Sequence, residues 1–239
     1  MKRIHLISNP RNLSTALMYS FAQRSDTRVV DEPFYGYYLT KRPDVEHPGK
    51  EEILADMEHD ADKVMQEVVF GEYDRPVLFL KNMAHHFVGM DEHFLTQLTN
   101  LLLIRNPKQL ISSFAQQIQE PTMEDIGSKK QHELYQFLLS QGNKPVVLDS
   151  GELLKDPPRV LQKLCEALDI PFEEQMLLWK AGALPEDGVW AKYWYANVHR
   201  STGFSKQPTS ERPLPEYLQP LYDTALPYYT ELYKNSIKA

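Results

Sequence analysis

The sequence predicts an α/β fold, a three-layer arrangement with a mostly parallel sheet and helices on both faces. Three observations predict it. Short apolar runs alternate along the chain with segments of helical periodicity. Two of those runs, Lys2–Ser8 and Asn100–Arg105, pass through tight polar loops directly into helical patterns. And 239 residues, 42% of them hydrophobic, suffice to bury one sizeable core. The expected organisation is a single domain over residues 1–239, with residues 205–239 packed on it as a C-terminal helical extension.

The elements follow in order. Lys2–Ser8 reads as a strand, Ser14–Gln23 as a helix with Leu17, Met18, Phe21 and Ala22 at helical spacing, and Thr27–Val30 as a short strand ending at Asp31-Glu32-Pro33. Residues 51–70 predict one long amphipathic helix with Ile53, Leu54, Met57, Ala61, Val64, Met65 and Val68 on its apolar face. Val77–Lys81 is an apolar strand, Asp91–Leu98 a capped helix, and Asn100–Arg105 the next strand. Asn106 then caps a helix from Pro107 to Gln117, with proline in the first-turn position. Gln131–Ser140 is a helix stopped by Gly142, and Pro145–Leu148 is a strand. A further helix lies before Leu168-Asp169-Ile170-Pro171-Phe172. Pro213–Ile237 predicts a terminal helical pair broken by Pro220 and Pro227.

Composition excludes several classes. A net charge of −7 argues against nonspecific nucleic-acid binding. No apolar run approaches the ~18 residues of a membrane span, and the run behind Met1-Lys2-Arg3 is too short for a signal peptide. The expectation is a soluble, cytoplasmic chain with no membrane partner. Cys165 is the only cysteine and reads as a small core residue.

The chemistry gathers where strands end. Asn9-Pro10-Arg11-Asn12-Leu13-Ser14-Thr15 links a strand to a helix N-terminus, where unpaired N–H groups favour an anion. Ser14 and Thr15 add hydroxyls, and Arg11 adds a planar cation suited to phosphate or sulfate. The Walker pattern GxxxxGK[ST] is absent, so ATP or GTP hydrolysis loses its strongest support. Arg105 ends a second strand, with Ser113 in the helix behind it. Ligands on such sheets lie beyond the strands' carboxyl ends, so Arg11, Glu32, His85 and Arg105 are expected on one rim.

Together these segments resemble the sulfotransferase family. Its first loop, typically Pro-Arg-Ser-Gly-Ser/Thr-Thr, grips the 5′-phosphosulfate of PAPS; its second element, Arg-Asn/Asp-Pro followed by a helical serine, grips the 3′-phosphate. Arg11, Asn12, Leu13, Ser14 and Thr15 fall on the first, Arg105 and Ser113 on the second. Glu152-Leu153-Leu154-Lys155-Asp156-Pro157 and the helix behind it match a third family segment. Arg200-Ser201-Thr202-Gly203 is placed as the counterpart of a late loop that closes over the 3′-phosphate. A similar segment occurs joined to branched-chain aminotransferase-like domains, although nothing here resembles a complete PLP enzyme. The resemblance implies a P-loop NTPase-like fold and PAPS as co-substrate, with PAP as product. It also implies a small-molecule hydroxyl or amine acceptor. Leu13 stands where the family usually has glycine, which predicts a reshaped loop. Ala16 stands where an aromatic residue is common, which removes a stacking surface for adenine.

Sulfuryl transfer requires a base and positive charge at the leaving group. Arg11 is the candidate for the charge, and Glu32, His85 and His86 are the candidates for the base. Histidine titrates near working pH, which favours the imidazoles, while Glu32 follows a strand at the expected rim. Lys81 either touches the sulfonate or is an ordinary strand-end cation. The spacing of His85, His86, Asp91 and His93 matches no common zinc pattern, and no metal is expected. A non-catalytic nucleotide-binding module and a small-molecule kinase on the same scaffold remain as alternatives.

Overall fold

The computed structural model describes residues 1–205 and 212–239; the first residues of the expected C-terminal extension, 206–211, lie outside the described residues. Among the described residues one sheet is formed by β1 (Lys2–Ser8), β2 (Thr27–Asp31), β3 (Val77–Met83), β4 (Thr99–Ile104), β5 (Val146–Asp149) and β6 (Ser236–Ile237). Their order is β2-β3-β1-β4-β5-β6, and every neighbouring pair is parallel. The helices are α1 (Ser14–Ala22), α2 (Tyr35–Lys41), α3 (Lys50–Asp56), α4 (Ala61–Lys63), α5 (Pro107–Phe114), α6 (Met123–Ile126), α7 (Ser128–Ser140), α8 (Ser150–Lys155), α9 (Pro157–Ala167), α10 (Ala191–Trp194), α11 (Ala196–His199) and α12 (Gln219–Lys234).

The strands are buried on both faces, so alternate residues feed two cores. Ile4, Leu6, Phe79, Leu101, Leu103 and Leu148 pack with Leu17 and Phe21 of α1 and Val160 and Leu164 of α9. Ile7, Leu78, Leu80, Leu102 and Val147 pack on the opposite side with Leu134 and Leu138 of α7 and Leu232 of α12. The expected three-layer α/β architecture is therefore the observed one.

Three expectations are corrected. The helix over residues 51–70 is broken: α3 ends at Asp56, Met57 is extended (φ −103°, ψ 152°), and α4 runs into a π-helical turn over Val64–Val69. Local side chains make the break. Glu58 Oε1 accepts from the backbone N–H of His59 and Asp60 (2.8 and 2.9 Å), and Asp60 Oδ1 caps Asp62 and Lys63. The terminal helical pair is one helix, α12. Pro220 sits in its first turn, where a proline costs no hydrogen bond, and Pro227 lies within it. The chain then forms β6, a strand absent from the sequence reading. Finally, Glu92–Gln97 is a 3₁₀ turn capped by Asp91 rather than an α-helix.

The strand β1 neighbours β3 on one side and β4 on the other, so chain direction across the sheet switches at its carboxyl end. This is where α/β sheets open a crevice. Gln131 of α7 reaches beneath it and donates to the carbonyls of Ile7 (2.9 Å) and Leu103 (3.0 Å). That clamp fixes the spacing of β1 and β4 below the loop of interest.

Candidate functional site

The β1–α1 loop is pinned from its centre. Asn12 Nδ2 donates to the Leu103 carbonyl (3.0 Å), and Asn12 Oδ1 accepts from the Leu13 amide (2.9 Å). Arg105, at the end of β4, donates to the Arg11 carbonyl. Arg11 Nε in turn donates to Ser113 Oγ of α5 (3.2 Å). The two strand-to-helix junctions singled out in the sequence are thus one connected structure. Leu13 does not take a glycine-like conformation: its φ is −87°, ordinary for any residue. The left-handed position is Arg11, at φ 54°.

A cleft opens on each side of this loop. The first, a basic cleft of about 170 Å³, is lined by Arg11, Leu13, Thr15, Ala16, Arg105 and Ser113. Its far wall carries Trp194, Tyr195, Asn197, Val198, Ser201 and Gly203. Burial lowers the Arg105 pKa to about 10, helped by the adjacent Arg11 charge. Burial and the charge of Arg212 depress Arg11 likewise. Among the described residues the hydrogen bonds of Arg11 and Arg105 run to a hydroxyl and a carbonyl rather than to carboxylates. Two half-desolvated guanidiniums that repel each other concentrate positive charge in this cleft.

Part of the expected late loop stands apart. Ser201 and Gly203 line the cleft, with Ser201 Oγ receiving Trp179 Nε1 (3.1 Å) and Gly203 bridged to Leu178. Arg200 is exposed and bonded to Asn197 Oδ1 (2.7 Å), and Thr202 is exposed. Neither lines the cleft. Arg212 adds positive charge near Arg11.

The second cleft is an aromatic pocket of about 130 Å³. Arg11, Ser14 and Thr15 form its edge, and Glu32, Tyr35, Tyr38, His47, His85, His86, Asp125 and Trp190 line it. All three base candidates therefore face one space. Tyr35 stacks on His86 (5.0 Å, 12°), and Tyr38 meets His85 edge-on (4.9 Å). Tyr35 Oη lies 2.6 Å from His47 Nδ1. Burial drives the His85 pKa down to about 3 and the His47 pKa to about 4, and pushes His86 well below its ordinary value. The imidazoles are neutral at pH 7. Asp91 and His93 pair with each other at the surface instead (2.9 Å).

Glu32 is held by a buried cluster. β2 and β3 pair with Asp31 beside Lys81 in register, and the fully buried Lys81 ammonium contacts Asp31 Oδ1 (2.7 Å), Glu32 Oε1 and Tyr195 Oη (2.7 Å). His86 Nε2 is 3.7 Å from Glu32 Oε2. One cation against two carboxylates leaves an uncompensated negative charge away from water. Burial raises the Glu32 pKa; Lys81 opposes the rise and Asp31 adds to it. Lys81 lines neither cleft. A lysine closing the apolar run Val77-Leu78-Phe79-Leu80 was the available signal, because a buried ammonium requires partners. Glu32, like Arg11, has a left-handed backbone (φ 44°). Two such non-glycine residues, just beyond the carboxyl ends of β1 and β2 on either side of β3, mark a constrained site.

Comparison with known proteins agrees with this geometry. Two Arabidopsis thaliana proteins named branched-chain-amino-acid aminotransferase-like proteins 1 and 2 are 40% and 38% identical to this chain. The matches cover 96% and 97% of it but only 41% of each relative's length. Among solved structures, the sulfotransferase domain of a Synechococcus olefin synthase superposes with a TM-score of 0.59 at 18% identity, covering 96% of this chain and 94% of that one. A mouse sulfotransferase complexed with PAP superposes at 0.52 and 13% identity, covering 98% and 85%. These likenesses show the fold. A family model described as a sulfotransferase domain matches residues 1–236, and on that match the chain belongs to the sulfotransferase domain family.

Proposed function

We propose that this chain transfers a sulfuryl group from PAPS to a hydroxyl or amine of a small acceptor. The observation that carries the reading is Arg11, which lines both the basic cleft and the aromatic pocket. The basic cleft suits a donor with two separated anionic groups: Arg11 with Thr15 at one, Arg105 with Ser113 at the other. Guanidinium and hydroxyl donors match phosphate and sulfate oxygens, and the cleft supplies them without a carboxylate partner among the described residues. Two similar structures, the mouse sulfotransferase and a retinol dehydratase, were solved with PAP, which supports the same donor here.

In the step, the acceptor oxygen or nitrogen attacks sulfur as the bond from sulfur to the phosphate oxygen breaks. The electron pair leaves with PAP, and Arg11 meets the charge that grows there. The acceptor proton passes to Glu32. Of the three candidates, Glu32 is the best base on chemical grounds. Burial brings His85 to about 3 and holds His86 well below its ordinary value, so both imidazoles hold a proton poorly, whereas protonating Glu32 neutralises the surplus negative charge of its cluster. His85, His86 and His47 would then shape and hydrogen-bond the acceptor as neutral rings. With Glu32 and Asp125 in its walls, the aromatic pocket disfavours acceptors that carry carboxylate or phosphate.

A screen of phenols, alcohols and amines with sulfur-labelled PAPS tests the reading. Label should reach an uncharged or cationic acceptor, with Glu32→Gln reducing the rate about 10²–10⁴-fold. Full activity in Glu32→Gln contradicts the base assignment. No transfer to any acceptor, together with no PAP binding, contradicts the function.

A further inference from the structure

Tyr195 touches both clefts from the wall opposite the Arg11 loop. It sits between α10 and α11 and lines the basic cleft and the aromatic pocket alike. Its carbonyl accepts the His199 amide (2.9 Å), so it is continuous with the segment bearing Asn197, Val198 and Ser201. Its hydroxyl, however, is buried in the charged cluster. Oη receives Lys81 Nζ (2.7 Å) and Trp190 Nε1 (3.0 Å), and lies 2.7 Å from Asp31 Oδ2 and 3.3 Å from Glu32 Oε1.

The proton inventory fixes what that hydroxyl does. An ammonium has three N–H donors, and here they go to Asp31, Glu32 and Tyr195. The phenol has one proton, and the shorter contact gives it to Asp31. Without the hydroxyl, one N–H of Lys81 and one oxygen of Asp31 lose their partners in a buried site. The ammonium would then turn toward Asp31 and loosen its hold on Glu32. The groups facing Glu32 are Asp31, Lys81, Tyr35, His86 and Tyr195, and of these only Tyr195 also lines the basic cleft.

We propose that Tyr195 is a positioning residue whose hydroxyl, carried on the wall of the basic cleft, fixes Lys81 between Asp31 and Glu32 and so sets the Glu32 carboxylate at the aromatic pocket. The proposal rests on the reading of Glu32 as the base. It separates two jobs within one side chain: the ring forms the wall of the donor cleft, and the hydroxyl organises the base.

The test compares Tyr195→Phe with Tyr195→Ala in the full chain. Glu32 is titrated by carbon-13 NMR of labelled glutamate carboxyls, with Glu32→Gln assigning the signal, and PAP affinity is measured by calorimetry. In Tyr195→Phe the Glu32 midpoint should rise by about one pH unit, the size of one charge-assisted hydrogen bond. PAP affinity should stay within about threefold. Tyr195→Ala should move the midpoint and also weaken PAP about tenfold or more, because the ring is lost. An unchanged midpoint in Tyr195→Phe overturns the proposal, as does an equal loss of PAP affinity in both variants. Should Tyr195→Phe fail to fold, Trp190→Phe removes one donor to Oη and should give a smaller rise; no rise there overturns it equally. If PAP binds no form of the protein, the donor reading falls, while the Glu32 midpoints still decide the role of Tyr195.

Discussion

Lowering the pH from 7.5 to 5.5 should destabilise this protein by an amount set by its enclosed imidazoles. His5 is fully buried between Phe87 and Phe94, with Asn82 Nδ2 2.9 Å from its Nε2, and burial drives its pKa to about 3. His86 is equally enclosed. A histidine whose folded pKa lies below its unfolded value contributes stability that is full above about 6.5 and lost as pH falls toward the folded pKa. At pH 5.5 an unfolded histidine has taken up its proton while the folded one has not, a difference of about 1.4 kcal/mol per residue. His5 and His86 together therefore contribute about 3 kcal/mol, and the half-buried His47 and His85 add to it. Glu32 works in the opposite sense: its raised folded pKa adds stability as it takes up a proton. A difference between two proteins removes that term. Urea denaturation of wild type and His5→Gln at both pH values should show the variant losing about 1.4 kcal/mol less than wild type on acidification. Equal losses in the two proteins would refute the argument that His5 is held neutral by burial.

Four further outcomes follow from the site. Arg11→Ala should lower turnover about 10²–10³-fold while weakening PAP far less, measured by label transfer and calorimetry, because its charge matters most as the bond breaks. Arg105→Ala and Ser113→Ala should each cost PAP about 1.5–3 kcal/mol of binding and cost AMP less; equal losses would make them holders of the shared nucleotide portion. Lys81→Met should destabilise the fold by about 3–5 kcal/mol in urea denaturation, since it leaves two buried carboxylates facing each other. The acid limb of the pH–rate profile should lie above the usual carboxylate range and disappear in Glu32→Gln, as expected for a buried base of raised pKa.

The sheet and its two anion-facing junctions were legible because their signals are local. Apolar runs lead into the loops that carry Arg11 and Arg105, and Asn106-Pro107 both caps and starts α5 as the sequence indicates. Position after a strand also placed Arg11, Glu32 and His85 on one pocket, while Arg105 lines the neighbouring cleft. The misses have physical causes. The apolar spacing of residues 51–70 cannot register that Glu58 and Asp60 bond to nearby amides and end the helix. Leu13 was expected to take a glycine-like loop conformation, but the turn places the left-handed position at Arg11. The ranking of the three base candidates also turns on burial. Histidine chemistry in water favoured the imidazoles, yet burial lowers their basicity and raises that of Glu32. Its partners Lys81 and Asp31 were each visible in sequence, but their meeting depends on the β2–β3 register.

The central claim is that the two arginine junctions form one donor cleft for a nucleotide phosphorylated on both its 5′ and 3′ sides. Calorimetric titration of PAP, AMP and ATP with Mg²⁺ against the full chain tests it most directly. The account predicts one PAP site, AMP weaker by about tenfold or more, and ATP with Mg²⁺ weaker still. Equal affinity for PAP and AMP, or tighter binding of ATP with Mg²⁺, would contradict it.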